Sequence, residues 1–262
     1  ILLRHPEAEI SVLTSRQEGR PHLSEVHPIL SGRLEMHLEQ IETVDLAAQC
    51  DCVFSCLPHA ASAATVKPLL DQGLRVVDLS ADYRLDELSV YEKWYDQQHP
   101  DPERVGQTVY GLPELFRESI PAAPLVANPG CYPTSAILAL APLLKAGHVD
   151  PVGVIVDSKS GVSGAGRNPS PVTHFVECHE SITAYNVGRH RHTPEISQVL
   201  SSQVAGSVEV VFTPHLIPME RGILTTAYAR AATDLDSEGL LAELKSAYQD
   251  EPFVRVVDYP PA

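Results

Sequence analysis

The chain has 262 residues, 44% of them hydrophobic and 20% charged, which suits one large domain or two modest ones with a sizeable core. Acidic side chains number 34 against 19 basic ones, a formal net charge of -15 with no cluster of basic residues, so neither a nucleic acid nor a membrane surface is an expected partner. No apolar run reaches the roughly 18 to 20 residues of a membrane span, and five cysteines are too few for a disulfide framework, so a reducing cytoplasm is the expected setting.

The opening ILLRHPEAEI reads as the tail of an amphipathic helix and lacks the basic region, long apolar core and cleavage site of a signal peptide. Residues 10–14 (ISVLT) spell a short strand, and Ser15 to Gly32 a polar loop punctuated by Pro21 and Pro28. The apolar run 50–57 (CDCVFSCL) ends at Pro58, where a helical pattern begins, and 74–79 (LRVVDL) is a second strand. Strand, helix and strand at this spacing predict βαβ units and a parallel sheet. A third buried run, 124–130, leads to Cys131, and a helix follows over 135–144.

From residue 152 the texture changes. VGVIVD is followed by a Gly/Ser loop at 158–167, strand-like runs at 208–213 and 223–230, a helix at 237–248 and a last strand at 253–257. The expected organisation is α/β, with a parallel sheet in the first part and a strand-dominated second part, divided near Asn128 to Cys131.

Cys131 stands in ANPGCYPT, between a Pro-Gly turn and an apolar helix. Thr134 or the turn residues are placed to cap that helix, so the sulfur faces free backbone N–H groups and a positive helix end, a setting that favours thiolate. The alternative is a cysteine packed as a small hydrophobe. GRHRHTPEI at 188–196 supplies two imidazoles able to hold a thiolate and return a proton. If this segment is extended, His190 and His192 point to opposite faces and only one meets the sulfur. A surface loop, or a metal site with a lone H-x-H, are the other readings, the latter unsupported by patterned ligands.

The loop SKSGVSGAGR at 158–167 offers backbone N–H groups to a phosphate or pyridine ring, with Arg167 as a fixed cation, or is simply a flexible connection. Cys50, Cys52 and Cys56 lack zinc spacing and read as core. SCLPHA at 55–60 lies where a strand gives way to a helix, the usual ligand edge of a parallel sheet.

Together with DLSADYRL at 78–85, VYGLPEL at 109–115 and FTPHLIPMERGIL at 212–224, these motifs make the whole chain resemble N-acetyl-gamma-glutamyl-phosphate reductases of arginine biosynthesis. The resemblance implies a semialdehyde-dehydrogenase fold, with residues 1–129 as a Rossmann-like, parallel-sheet NADP-binding domain and 130–262 as an α+β catalytic and dimerisation domain with a mixed sheet, and an NADPH-dependent reduction of an acyl phosphate. Cys131 would be the nucleophile that forms a thioester, later reduced by hydride to the semialdehyde. It implies His190 as acid/base, with His192 second, and Glu195 as the group that orients an imidazole. Arg191 and Arg167 are candidates for substrate phosphate or carboxylate on charge grounds.

The resemblance also implies NADP(H) contacts from Ser15 and Arg16, from Ser55 and Pro58, and from Gly161, Ser163, Gly164, Ala165 and Gly166. It places the family's glycine-rich dinucleotide turn before Ile1 and a further segment after Ala262. No metal is expected, and a homodimer or homotetramer is. Competing readings are an aminoadipyl-phosphate reductase of lysine biosynthesis, a fragment unable to hold dinucleotide, the more distant aspartate semialdehyde dehydrogenases, and a cysteine hydrolase using Cys131 and His190.

Overall fold

The computed structural model describes residues 1–41, 45–166 and 168–258. In the first half, β1 (Thr14–Ser15) and β2 (Glu39–Gln40) form a short parallel pair, with the helical turn α1 (Leu23–Val26) in the loop between them. A separate four-stranded sheet follows. It is built from β3 (Cys52–Ser55), β4 (Arg75–Asp78), β5 (Val109–Tyr110) and β6 (Leu125–Ala127), all parallel, in the order β3-β4-β6-β5.

The helix α2 (Ser62–Asp71) crosses between β3 and β4 and buries Ala63, Val66 and Leu69 at helical spacing. These side chains pack with Leu74, Val76 and Leu125 into one apolar core. The helices α3 (Leu88–Tyr95) and α4 (Pro113–Phe116) occupy the connections before and after β5.

The second half begins with α5 (Cys131–Lys145), which buries Ala136, Ile137, Leu140 and Leu144. Its Pro133 is tolerated because it falls in the first turn, where backbone N–H groups have no intrahelical partner. The mixed sheet runs β10-β7-β9-β8, from β7 (Val154–Ser160), β8 (Thr183–Ala184), β9 (Val210–Leu216) and β10 (Ile223–Tyr228). β7 and β9 are parallel, and β10 and β8 flank them antiparallel.

The helices α5 and α7 (His192–Ser201) cover one face of this sheet through Tyr132, Ile137, Ile196 and Leu200 against Val154, Val156 and Phe212. The opposite face leaves Ile155, Val211, Leu224 and Tyr228 exposed. The short α6 (Phe175–Cys178) lies before β8, and α8 (Ser237–Ala247) packs beside α5.

Several sequence expectations change. The first strand covers Thr14–Ser15 rather than 10–14, and β7 absorbs Ser158 to Ser160 from the expected loop. α5 starts at Cys131 itself, and its N-cap is Gly130, without a side-chain cap; the Thr134 hydroxyl donates to the Gly130 carbonyl instead. The expected strand at 253–257 does not form, because Phe253 is 92% exposed and no sheet edge pairs with this segment. Cys52 on β3 and Cys56 just after it are exposed, which overturns the core reading for these two, while Cys50 packs against the core of this half.

Candidate active site

Strand β6 ends in the turn Asn128-Pro129-Gly130, which delivers Cys131 as the first residue of α5. The turn is gripped from three directions. The Asn128 N–H donates to the Asp78 carbonyl at 2.8 Å, Arg84 Nε donates to the Asn128 carbonyl at 2.8 Å, and the Gly130 N–H donates to Glu195 Oε1 at 2.8 Å. Backbone N–H groups of Cys131 and Tyr132 point to the sulfur, as the helix start predicts.

The thiol pKa is nevertheless raised from its ordinary value. The protein mass around the sulfur outweighs those N–H groups and the Arg84 charge, and the Glu195 charge adds to the rise. Position alone therefore does not yield a standing thiolate at neutral pH, contrary to the reading from sequence.

His190 and His192 supply two candidate proton acceptors. Their segment is a turn entering α7 rather than extended chain, so both imidazoles lie on one side, with ring centroids 4.8 Å apart. Both pack on the ring of Tyr132, the residue after Cys131, at 5.5 and 5.9 Å. The extended geometry on which the expectation of a single facing imidazole rested is not the geometry found.

Burial pushes the His190 pKa down to about 4 and the His192 pKa down to about 3, assisted at His190 by His192 and Arg191, and at His192 by Arg84 and Arg191. Both rings are uncharged at neutral pH and so are proton acceptors, not standing imidazolium partners of a thiolate. His190 Nδ1 accepts the His192 backbone N–H at 3.1 Å, which places the proton of the neutral ring on Nε2. His192 Nδ1 is buried with no hydrogen-bond partner, and a Cβ added to Gly130 would lie 2.6 Å from His192 Nε2. Glycine is needed here for that close approach, since its φ of -67° suits any residue.

Glu195, 1% exposed, accepts hydrogen bonds from the Gly130 N–H, from Tyr110 Oη at 2.8 Å and from Arg84 Nη1 at 3.4 Å. Its hydrogen bonds come from the turn, Tyr110 and Arg84 rather than from an imidazole. Arg84 closes the loop after β4, whose other polar groups are also buried. Asp78 accepts from Ser62 and Ser80, and Asp82 caps the start of α2 through the Ala60 and Ala63 N–H groups. Arg84 and Tyr110 were visible in sequence only as letters within two motifs. The signal that marks them is a run of polar residues just after an apolar strand, where a parallel sheet opens its ligand edge.

In the separate β1–β2 pair, Ser15 ends β1 and Arg16 follows it, exposed and, among the described residues, without an ion-pair partner. Pro58 and His59 are exposed after β3, while the Ser55 hydroxyl is buried in a chain with Ser62 and Asp78 and faces inward. Arg191 bonds His59 and lies over the Tyr95 ring at 5.4 Å, joining this edge to the histidine pair.

The Gly/Ser loop is placed differently from expectation. The N–H groups of Gly161, Val162 and Ser163 donate to carbonyls of Gly222, Met219 and Glu220, and those of Gly164 and Gly166 to carbonyls within the loop. Few donors remain for a phosphate. Ser163, Gly164, Ala165 and Gly166 are exposed, so the loop offers side chains and shape; Arg167 lies outside the described residues. No group of three or more metal-ligating side chains occurs among the described residues, and no helix among them is long and apolar enough to cross a membrane.

A profile described as "Semialdehyde dehydrogenase, NAD binding domain" matches residues 1–123, and one described as "Semialdehyde dehydrogenase, dimerisation domain" matches residues 131–261. Solved structures agree on the fold. An aspartate semialdehyde dehydrogenase II from Vibrio cholerae superposes with a TM-score of 0.62 at 15% identity, over 81% of this chain and 65% of that one. A probable aspartate-semialdehyde dehydrogenase from Pseudomonas aeruginosa gives 0.58 at 17% identity, over 95% and 74%. Fold and profiles together define the semialdehyde-dehydrogenase class, an oxidoreductase architecture with a nicotinamide-dinucleotide domain.

Closer relatives are curated as N-acetyl-gamma-glutamyl-phosphate reductase. The protein from Rhodopirellula baltica is 50% identical over 268 residues, covering 100% of this chain and 77% of that protein. Those from Geobacter metallireducens and Moorella thermoacetica are 50% and 46% identical, each covering 98% of this chain and 74% of the relative. The chain belongs to the N-acetyl-gamma-glutamyl-phosphate reductase family.

Proposed function

We propose that the protein reduces N-acetyl-gamma-glutamyl phosphate to N-acetylglutamate semialdehyde, releasing phosphate, through a thioester on Cys131. The observation that carries this reading is a thiol at the first position of α5 with two uncharged imidazoles packed on the ring of the next residue, Tyr132. The Cys131 proton passes to the neutral ring of His192, and the sulfur attacks the acyl carbon. The bond from that carbon to the phosphate oxygen breaks, and the imidazolium protonates the departing phosphate. His190, its Nδ1 engaged and its Nε2 carrying hydrogen, donates to the acyl oxygen where negative charge develops.

When bound, the reduced nicotinamide supplies the hydride that converts the acyl group to the aldehyde level. The Cys131 sulfur then leaves and recovers a proton drawn from solvent through the same imidazole. A sulfur nucleophile divides one difficult displacement into two easier ones.

Arg16, an exposed cation just after β1, suits the 2'-phosphate of NADP with Ser15 beside it, and Pro58 is exposed after β3. Ser163, Gly164, Ala165 and Gly166 reach the dinucleotide by shape rather than by free donors. The boundary near Asn128 to Cys131 divides a cofactor half, 1–129, from a catalytic half, 130–262, and the two halves meet at the Arg84 to Glu195 pair. The open face of the mixed sheet, with Ile155, Val211, Leu224 and Tyr228, joins a second copy in a homodimer, in keeping with the dimerisation-domain match.

The test is NADPH oxidation with the acetylglutamyl acyl phosphate generated in situ, beside NADH and an aminoadipyl acyl phosphate. Preference for NADPH and the acetylglutamyl substrate supports the reading. Turnover of the aminoadipyl substrate alone replaces the substrate and keeps the chemistry.

A further inference from the structure

We infer that Arg84 is a positioning residue for the nucleophile, clamping the turn beneath Cys131 against Glu195 so that this ion pair sets the charge the sulfur meets. The inference rests on Cys131 being the nucleophile. Its basis is a set of contacts that converge on one turn from distant parts of the chain. Arg84 Nε holds the Asn128 carbonyl, Nη2 holds the Leu79 carbonyl at 2.9 Å, and Nη1 faces Glu195 Oε2 at 3.4 Å. Nη1 also lies 2.9 Å from where a Cβ on Gly130 would stand, close beside His192 Nε2. Glu195 holds the Gly130 N–H in turn, and Tyr110 Oη fixes its Oε1 from β5. Arg84 and Glu195 are both nearly fully buried, where charges act over short range with little screening.

The charged and titratable groups around the sulfur come from every neighbouring element. They are Tyr132 on its own helix, Arg84 from the loop after β4, Tyr110 on β5, Tyr185 after β8, and His190, Arg191, His192 and Glu195 at the start of α7. Of these, Arg84 lowers the thiol pKa and Glu195 raises it. Opposite charges in one clamp therefore pull the nucleophile in opposite directions, and the balance between them is testable one side at a time.

The experiment follows iodoacetamide alkylation of Cys131 against pH in the intact protein, read by mass spectrometry of its peptide. Arg84→Met is expected to move the midpoint to higher pH and slow alkylation at neutral pH by roughly tenfold, the factor in thiolate fraction per unit of pKa. Glu195→Gln keeps an acceptor for Gly130 and Tyr110 while losing the charge, and is expected to move the midpoint to lower pH. Arg84→Lys keeps the charge but not the three-way fork, so its midpoint stays near the original while kcat for reduction falls.

A purely structural role changes melting temperatures and leaves all three midpoints alone, which overturns the inference, as do shifts of the same sign in Arg84→Met and Glu195→Gln. If Arg84→Met does not fold, the downward shift in Glu195→Gln decides, and its absence overturns the inference. Reduction that persists in Cys131→Ser would instead remove the thioester reading, whatever the alkylation profiles show.

Discussion

The backbone N–H of Gly130 donates to Glu195 Oε1 at 2.8 Å across 65 residues of sequence. One helix thus holds both the imidazole pair, at its entry, and the carboxylate that fixes the turn carrying the thiol. Any movement of α7 moves the imidazoles and the thiol-bearing turn together.

Glu195→Ala should be severe. It leaves the Arg84 guanidinium buried without its counter-charge and strands the Gly130 N–H and Tyr110 hydroxyl. Breaking a buried pair on one side costs about 3–5 kcal/mol, and a comparable loss is expected by urea denaturation.

Gly130→Ala tests close approach separately from charge. The backbone angles accept alanine, but the new methyl would lie 2.6 Å from His192 Nε2 and 2.9 Å from Arg84 Nη1. The ring has to move, so kcat should fall by more than tenfold with a stability loss of about 1–3 kcal/mol, the range for overpacking. Steady-state kinetics and thermal melting check both.

The pH dependence of stability follows from the two histidines. Their folded pKa values, about 4 and about 3, lie below the unfolded value near 6.5, so the unfolded chain binds more protons over that interval. Stability should fall as pH drops from about 6.5 towards 4 and below. Replacing His192 with Asn should flatten that slope in denaturation measured from pH 7 to 4.

Val211→Glu places a charge in the middle of the open sheet face, beside Ile155 on the paired strand. Sedimentation should then report monomer, with helical content by circular dichroism unchanged. A dimer that persists places the interface elsewhere.

Much of the site was legible because its chemistry lies in short contiguous motifs. A Pro-Gly turn before an apolar helix marks Cys131 as a candidate and two histidines two apart mark candidate proton acceptors, while the roles themselves come from the family resemblance. The parallel sheet showed in apolar runs at regular spacing, though β5 is too short, at two residues, to register. Arg84, Tyr110 and Glu195 could not be joined by reading, since their bonds span 85 and 111 residues. Protonation was misread for a related reason. A helix start argues for thiolate, but the protein mass that distant elements bring around the sulfur raises the thiol pKa even though Cys131 itself is solvent-exposed. The run 253–257 carries strand-like residues, and no available edge receives it.

The thioester can be tested without the reduction. Enzyme mixed with N-acetyl-gamma-glutamyl phosphate in the absence of dinucleotide should release close to one phosphate per active site, and the acyl group should be found by mass spectrometry on the Cys131 peptide. No phosphate release, or an acyl group carried by any residue other than Cys131, would contradict nucleophilic catalysis by this thiol.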